Sequence, residues 1–114
     1  MGKVNEDADI LSVVPQNSDS IKKFEDIRFN VHPVAGSPAV QAVILFPNEQ
    51  EISIIGGGEF NGMPMHYGDG KKTFEAWCRT DGSQPQSYVS KEDVMKLIKK
   101  VKLYKKNMIK REEL

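Results

Sequence analysis

The residues best equipped for chemistry fall in one glycine-studded stretch. Residues 56–70 read Gly-Gly-Gly-Glu-Phe-Asn-Gly-Met-Pro-Met-His-Tyr-Gly-Asp-Gly, and six of the fifteen are glycine. Glycines let backbone N–H groups converge into an anion-binding concavity with no side chains in the way. Phe60 and Tyr67, with Trp77 downstream, can stack on a planar ring, while Lys71 and Arg79 can meet a phosphate. The expected binding set is therefore Arg28, Gly57, Gly58, Phe60, Asn61, His66, Tyr67, Asp69, Lys71, Trp77 and Arg79, around a small anionic or nucleotide-like ligand. The plainer alternative is a surface loop whose glycines serve turns alone.

No defined phosphate motif underlies this expectation. Gly56-x-Gly58-x-x ends on Asn61, where a dinucleotide fingerprint needs a third glycine, and no helix follows. Gly70-Lys71 is followed by Lys72 instead of Ser or Thr, and position 65 is Met where a phosphate loop needs Gly. Gly68-Asp69-Gly70-Lys71-Lys72 is explained more simply as a turn entering the next strand.

Catalysis and metal binding find little support. His32, His66 and Cys78 are spread over three segments, without the paired close spacing of zinc ligands, so no metal and no cofactor is expected. A catalytic histidine needs a nucleophile and an orienting acid. Ser53, Glu59 and Asp69 are candidates to serve His66, but no spacing singles them out. A small hydrolase is thus the last of three functional readings, and the expectation is a protein that is not an enzyme. Arg28 and Arg79 would clamp an anion if they shared a sheet face; otherwise each would pair with an acid across strands. Cys78 alternates with Trp77 on the side of Phe74 and Ala76, a place for core filling.

These side chains must be held by an α+β domain: a small antiparallel β-sheet of about five strands followed by one long basic C-terminal α-helix. At 114 residues the chain is one domain, able to bury a core without metal or disulfide staples. Residues 1–20 form an N-terminal arm, flexible or lending an edge strand. Residues 21–89 form the sheet core, and residues 90–114 the helix. Residues 26–32 alternate, with Ile27, Phe29 and Val31 on one side, as a half-buried strand does. Residues 39–46 are nearly all apolar, as in a central strand, and Pro47-Asn48 turns them into a hairpin with residues 51–55. Residues 72–80 alternate again, Asp81-Gly82 turns, and residues 86–89 return. Ser90 and Asp93 make a capping box that opens the helix.

Charge divides the chain. Residues 1–90 hold seven basic and twelve acidic residues, and residues 91–114 hold nine and four, so a net charge of zero hides a basic tail on an acidic body. Residues 94–111 carry eight Lys/Arg and no acid, and seven of the eight are lysine. Nucleic acid bound by such a helix would be bound nonspecifically, because base readout prefers Arg, Asn or Gln. A membrane surface is not expected as partner, because the apolar stripe lacks Trp and Phe. The stripe itself is Val94, Leu97, Ile98, Val101, Tyr104 and Met108. A helix of about 36 Å overhangs strands of about 20 Å, so the stripe is expected to dock a second copy, in a homodimer or higher oligomer.

A β core, a ligand loop and interlocking C-terminal helices form a plan similar to that of small phage-encoded proteins that sequester cyclic-nucleotide signals. The likeness is one of architecture and rests on no motif residue. It implies a non-catalytic homo-oligomeric protein that holds a nucleotide signal near the glycine loop. The alternative is a nucleic-acid-binding or protein-inhibitor accessory factor that acts through the lysine-rich helix. With one cysteine and no apolar run near the roughly 18 residues of a membrane span, the expected location is cytoplasmic.

Overall fold

Two apolar runs joined by a proline turn make the central pairing of the molecule. The structure, a computed structural model, describes residues 13–60, 63–64 and 68–105. In chain order the strands are β1 (Gln16–Asn17), β2 (Asn30–Val31), β3 (Val40–Leu45), β4 (Glu51–Gly56), β5 (Glu59–Phe60), β6 (Met63–Pro64), β7 (Thr73–Cys78) and β8 (Gln86–Ser90), followed by helix α1 (Lys91–Lys102). β3 and β4 pair antiparallel from Val40↔Gly56 to Leu45↔Glu51. Their hairpin closes through Glu49 N–H to Phe46 O, with Pro47 at the second turn position and Glu49 in the left-handed region at φ 74.

The sheet runs β1-β3-β4-β7-β8, with β2 also on β3 and β5–β6 as a separate ribbon. It is mixed, not wholly antiparallel, because β1 runs parallel to β3. β1 and β2 share one edge of β3 at its opposite ends, Gln16 facing Ile44 and Val31 facing Val40. The Gln16 side chain ties the two: its amide donates to Arg28 O at 2.8 Å and accepts from Arg28 N–H at 2.9 Å, as a neighbouring peptide group would.

The strand expected over residues 26–32 is shorter than its alternation suggests. Phe24–Asp26 is a 3-10 turn, fixed by the Asp26 carboxylate, which accepts from Lys22 N–H at 2.8 Å and Lys23 N–H at 3.1 Å. Ile27 is buried, but Val31 is 58% exposed, so the alternating face does not stay in the core.

One sheet face carries the core. Ala42, Ile44, Ile52, Ile54, Phe74, Ala76 and Cys78 lie on it, and Val94, Ile98 and Val101 of α1 pack against them. The i, i+4, i+7 spacing of those three puts them on one helix stripe. Phe24, Phe29 and Phe74 stack at one end, with ring centroids 5.1–6.0 Å apart.

Both ends of α1 are closed. Ser90 Oγ accepts from Asp93 N–H at 3.0 Å, and the Asp93 carboxylate accepts from Ser90 N–H at 3.2 Å. At the other end Asn48 Nδ2 donates to Val101 O and Tyr104 O, both at 2.9 Å, and Tyr104 OH donates to Asp81 at 2.9 Å. The helix expected over residues 90–114 is thus a twelve-residue helix ending at Lys102, about 18 Å long, which matches the strands beneath it. No overhang remains within the described residues. Val94, Ile98 and Val101 are 0–1% exposed in the chain's own core, and Leu97 and Tyr104 pack half-buried against it. Val94, Ile98 and Val101 are therefore not a free surface awaiting a second copy. Met108 lies outside the described residues. Among the described residues no helix is long and apolar enough to cross a membrane.

Candidate functional site

Two regions compete for a functional role, and their polar groups are in opposite states. The first is the base of the glycine loop. Gly57 donates its N–H to Gly68 O at 3.2 Å, and Gly70 donates to Thr73 O at 2.9 Å. The two strands of the loop base touch backbone to backbone. A Cβ at Gly70 would sit 2.6 Å from Gly57 N, and one at Gly56 would sit 2.6 Å from Gly70 Cα. Close approach is what these glycines permit.

Just past the loop glycines, the N–H groups of Lys71, Lys72 and Thr73 form a nest, and the chain fills it with its own carboxylate. Asp69 Oδ1 accepts from Lys71 N–H and Lys72 N–H at 2.8 Å each, from Thr73 N–H at 3.0 Å and from Thr73 Oγ1 at 3.2 Å. The N–H of Lys71, then those of Thr73 and Lys72, hold the Asp69 carboxyl well below the usual carboxylate range. Asp69 is thus the occupant of this nest, bound within the chain.

Two members of the expected set, Trp77 and Arg79, stand away from the loop base. Trp77 and Arg79 lie roughly 13 and 20 Å along β7 from Thr73, at about 3.3 Å per residue. Trp77 Nε1 donates to Ser83 O at 2.8 Å. Arg79 is paired with Glu51 across β4 and β7 and lies 5.9 Å from the Trp77 ring centroid. It shares an open depression of about 410 Å³ with Glu51, Gln41 and Val43, where the carboxylate already answers its charge. Arg28 is exposed, on the segment that Gln16 holds before β2. Gly58 is buried, and Lys71 is exposed. Phe60 pairs with Met63 through β5 and β6. Asn61, His66 and Tyr67 lie outside the described residues.

The other reactive side chains are in structural employment. His32 Nδ1 accepts from Val34 N–H and Ala35 N–H at 3.1 and 3.0 Å, and burial pushes its pKa down. Cys78 is buried in the core, and burial pushes its thiol up. Among the described residues no group of three or more His, Cys, Asp or Glu could hold a metal ion.

The second region is the outer face of α1. Lys96, Lys99 and Lys100 are exposed there, opposite the buried stripe, with Lys102 exposed beside the stripe at the helix end, and among the described residues none is paired with an acid. Beside them a groove of about 330 Å³ opens between the helix and the 3-10 turn. Phe24 and Met95 form its apolar floor, and Lys91, Lys96 and Lys99 stand along its helix side. Lys91 Nζ is 5.3 Å from the Phe24 ring centroid.

Reading the heptad-like stripe alone misses Met95, which flanks the stripe instead of belonging to it. The signal that would have found it is an apolar residue with lysines four before and four after, at positions 91 and 99. Comparison with protein-family models, with curated proteins and with solved structures finds no match for the chain.

Proposed function

We propose that this chain is a non-catalytic binding protein whose working surface is the lysine-bearing outer face of α1, directed at a partner of dense negative charge. One observation carries this reading. Three lysines, Lys96, Lys99 and Lys100, crowd a helix face whose apolar side and both ends are already fixed by contacts within the chain. Like charges three and four residues apart, as in Lys96–Lys99, Lys96–Lys100 and Lys99–Lys102, cost a helix a few tenths of a kcal/mol each. The helix dipole offsets this in the last turn, but Lys96 lies outside that turn. A face of net positive charge whose lysines form no ion pair among the described residues attracts an external counter-charge.

The nucleotide-holding reading has weaker support in the described residues. The nest beside the loop is occupied by Asp69, and Arg79 is paired with Glu51.

The test is the binding of fluorescein-labelled polyglutamate and a labelled DNA duplex, followed by anisotropy at low and near-physiological salt. Binding that weakens with salt, and falls by about tenfold or more in Lys96→Glu/Lys99→Glu/Lys100→Glu, is the expected result. No binding of either polyanion at low salt, or indifference to the charge reversal, would refute the reading.

A further inference from the structure

The groove beside the lysines has a composition that bare polyanion binding does not need. We infer that the Phe24–Met95 groove seats an apolar side chain of an acidic peptide segment, so that the partner is a protein and not a nucleic acid. This rests on the reading of the α1 face as the working surface, and it adds the partner's chemistry and its anchor point.

Three features point this way. The groove floor is an aromatic ring and a thioether side chain, so a sugar–phosphate chain laid on it would lose water without gaining hydrogen bonds. Met is the side chain best suited to adapt its shape to an incoming apolar group. The rim is of mixed sign: Lys91, Lys96 and Lys99 stand beside Glu92 on the helix, and Glu25 stands on the turn side. A uniformly charged phosphate chain meets repulsion at both acids, whereas a peptide can keep its glutamates over the lysines and its apolar anchor between the two walls. The cations of this rim are all lysine, point charges suited to single carboxylates, with no arginine fork for a phosphate.

The ring of Phe24 is also held in place. Phe29 and Phe74 pack against it at 6.0 and 5.1 Å, and Lys91 lies over it. An anchor therefore meets a preformed wall on one side and an adaptable one on the other, the arrangement that gives a central apolar residue most of the binding energy.

The experiment separates charge from anchor by sign. Two labelled peptides are compared by anisotropy: one of glutamates flanking a leucine–phenylalanine centre, the other with alanines at that centre. The wild type should bind the anchored peptide about tenfold more tightly. Met95→Lys adds a positive charge while blocking the groove. It should bind the alanine peptide as well as or better than wild type, and lose most of the preference for the anchored one. Because Met95 also touches the core, amide chemical shifts of the wild type with the anchored peptide provide a second readout, expected to move at Phe24, Glu25, Lys91 and Met95.

Equal affinity for both peptides, each improved by Met95→Lys, would overturn the anchor and leave the lysine face standing. Tighter binding of a DNA duplex than of either peptide, without shifts at Phe24, would overturn the protein partner. Concentration-dependent shifts at the groove without any peptide would assign it to a second copy instead. Failure of every probe at low salt would remove the anchor and the lysine face together.

Discussion

The base of the glycine loop and the outer face of α1 differ in where their polar groups are directed. At the loop base five backbone donors have acceptors inside the chain: Gly57 bonds Gly68, Gly70 bonds Thr73, and Lys71, Lys72 and Thr73 all give their N–H groups to Asp69. On α1 the exposed lysines have no acid among the described residues. The density of unusual residues in the sequence is greatest at the loop, yet its described part is self-satisfied. Glycine content reports a geometric demand of the backbone, and charge without an ion-pair partner among the described residues reports a demand that those residues leave open.

The sharpest way to break this contrast is at Gly70. Its φ is 75, and an added Cβ would lie 2.6 Å from Gly57 N and 2.9 Å from Gly57 Cα, backbone atoms that cannot rotate away. Gly70→Ala is expected to cost about 2–4 kcal/mol, a fall in melting temperature of about 10 °C or more. Gly82→Ala is the control. It has φ 81 but nothing within 4 Å, so only the conformational cost of about 1 kcal/mol applies. Equal melting temperatures for the two variants would show that the loop base is not held by close approach.

The second expected effect falls on binding and spares stability. Lys96→Gln/Lys99→Gln should weaken polyglutamate binding by about fivefold at low salt and change stability by no more than about 0.5 kcal/mol. A large loss of stability would mean that the lysines serve the fold, and the contrast between the two regions would disappear.

How much of this was legible in the sequence depends on how far each determinant reaches along the chain. The β3–β4 hairpin, β7 and the start of α1 follow from local patterns: apolar alternation, Pro47-Asn48, and the Ser90–Asp93 box. The end of α1 does not, because its cap is Asn48, 53 residues before Val101. Lysines and an apolar stripe continuing past Lys102 carry no sign of that cap. The strand expected over residues 26–32 failed for a nearer reason: Asp26 turns back on Lys22 and Lys23 and takes Phe24–Asp26 out of extended backbone. At the loop, the glycine pattern was visible but not its use, which requires that Gly56, Gly57 and Gly70 meet. The Phe24–Met95 groove belongs to two segments some seventy residues apart in the chain, and no window along the sequence contains both.

A smaller effect tests the occupant of the nest. Asp69 has a depressed pKa, so its contribution to stability is present above its ordinary value of 3.8 and is lost as pH falls through the lower folded value. Asp69→Asn keeps the shape and one acceptor but removes the charge. It should melt below wild type at pH 7, with the gap narrowing as pH drops under 3.8. A gap that stays constant down to acid pH would mean that shape, and not charge, holds Lys71, Lys72 and Thr73.

The smallest expected effect lies at the far end of α1, where the helix meets the β7–β8 turn. Burial first, then the hydrogen bond to Asp81, pushes the Tyr104 hydroxyl up to about 12. Burial raises the Asp81 carboxyl, but the bonds from Ser83 Oγ, Ser83 N–H and Tyr104 together outweigh it and leave the carboxyl below its ordinary value. A raised tyrosine is protonated in the folded chain while the unfolded chain already ionises, so the stability it lends is complete below pH 10 and is lost as pH rises toward 12. Tyr104→Phe removes one hydrogen bond to a charged acceptor, about 1 kcal/mol at neutral pH for a half-exposed pair, and removes that alkaline dependence. Wild type and variant should therefore converge in denaturant midpoint between pH 10 and 12. Parallel curves across that range would show that Tyr104 seats the helix end by packing, and that Asn48 alone supplies its polar closure.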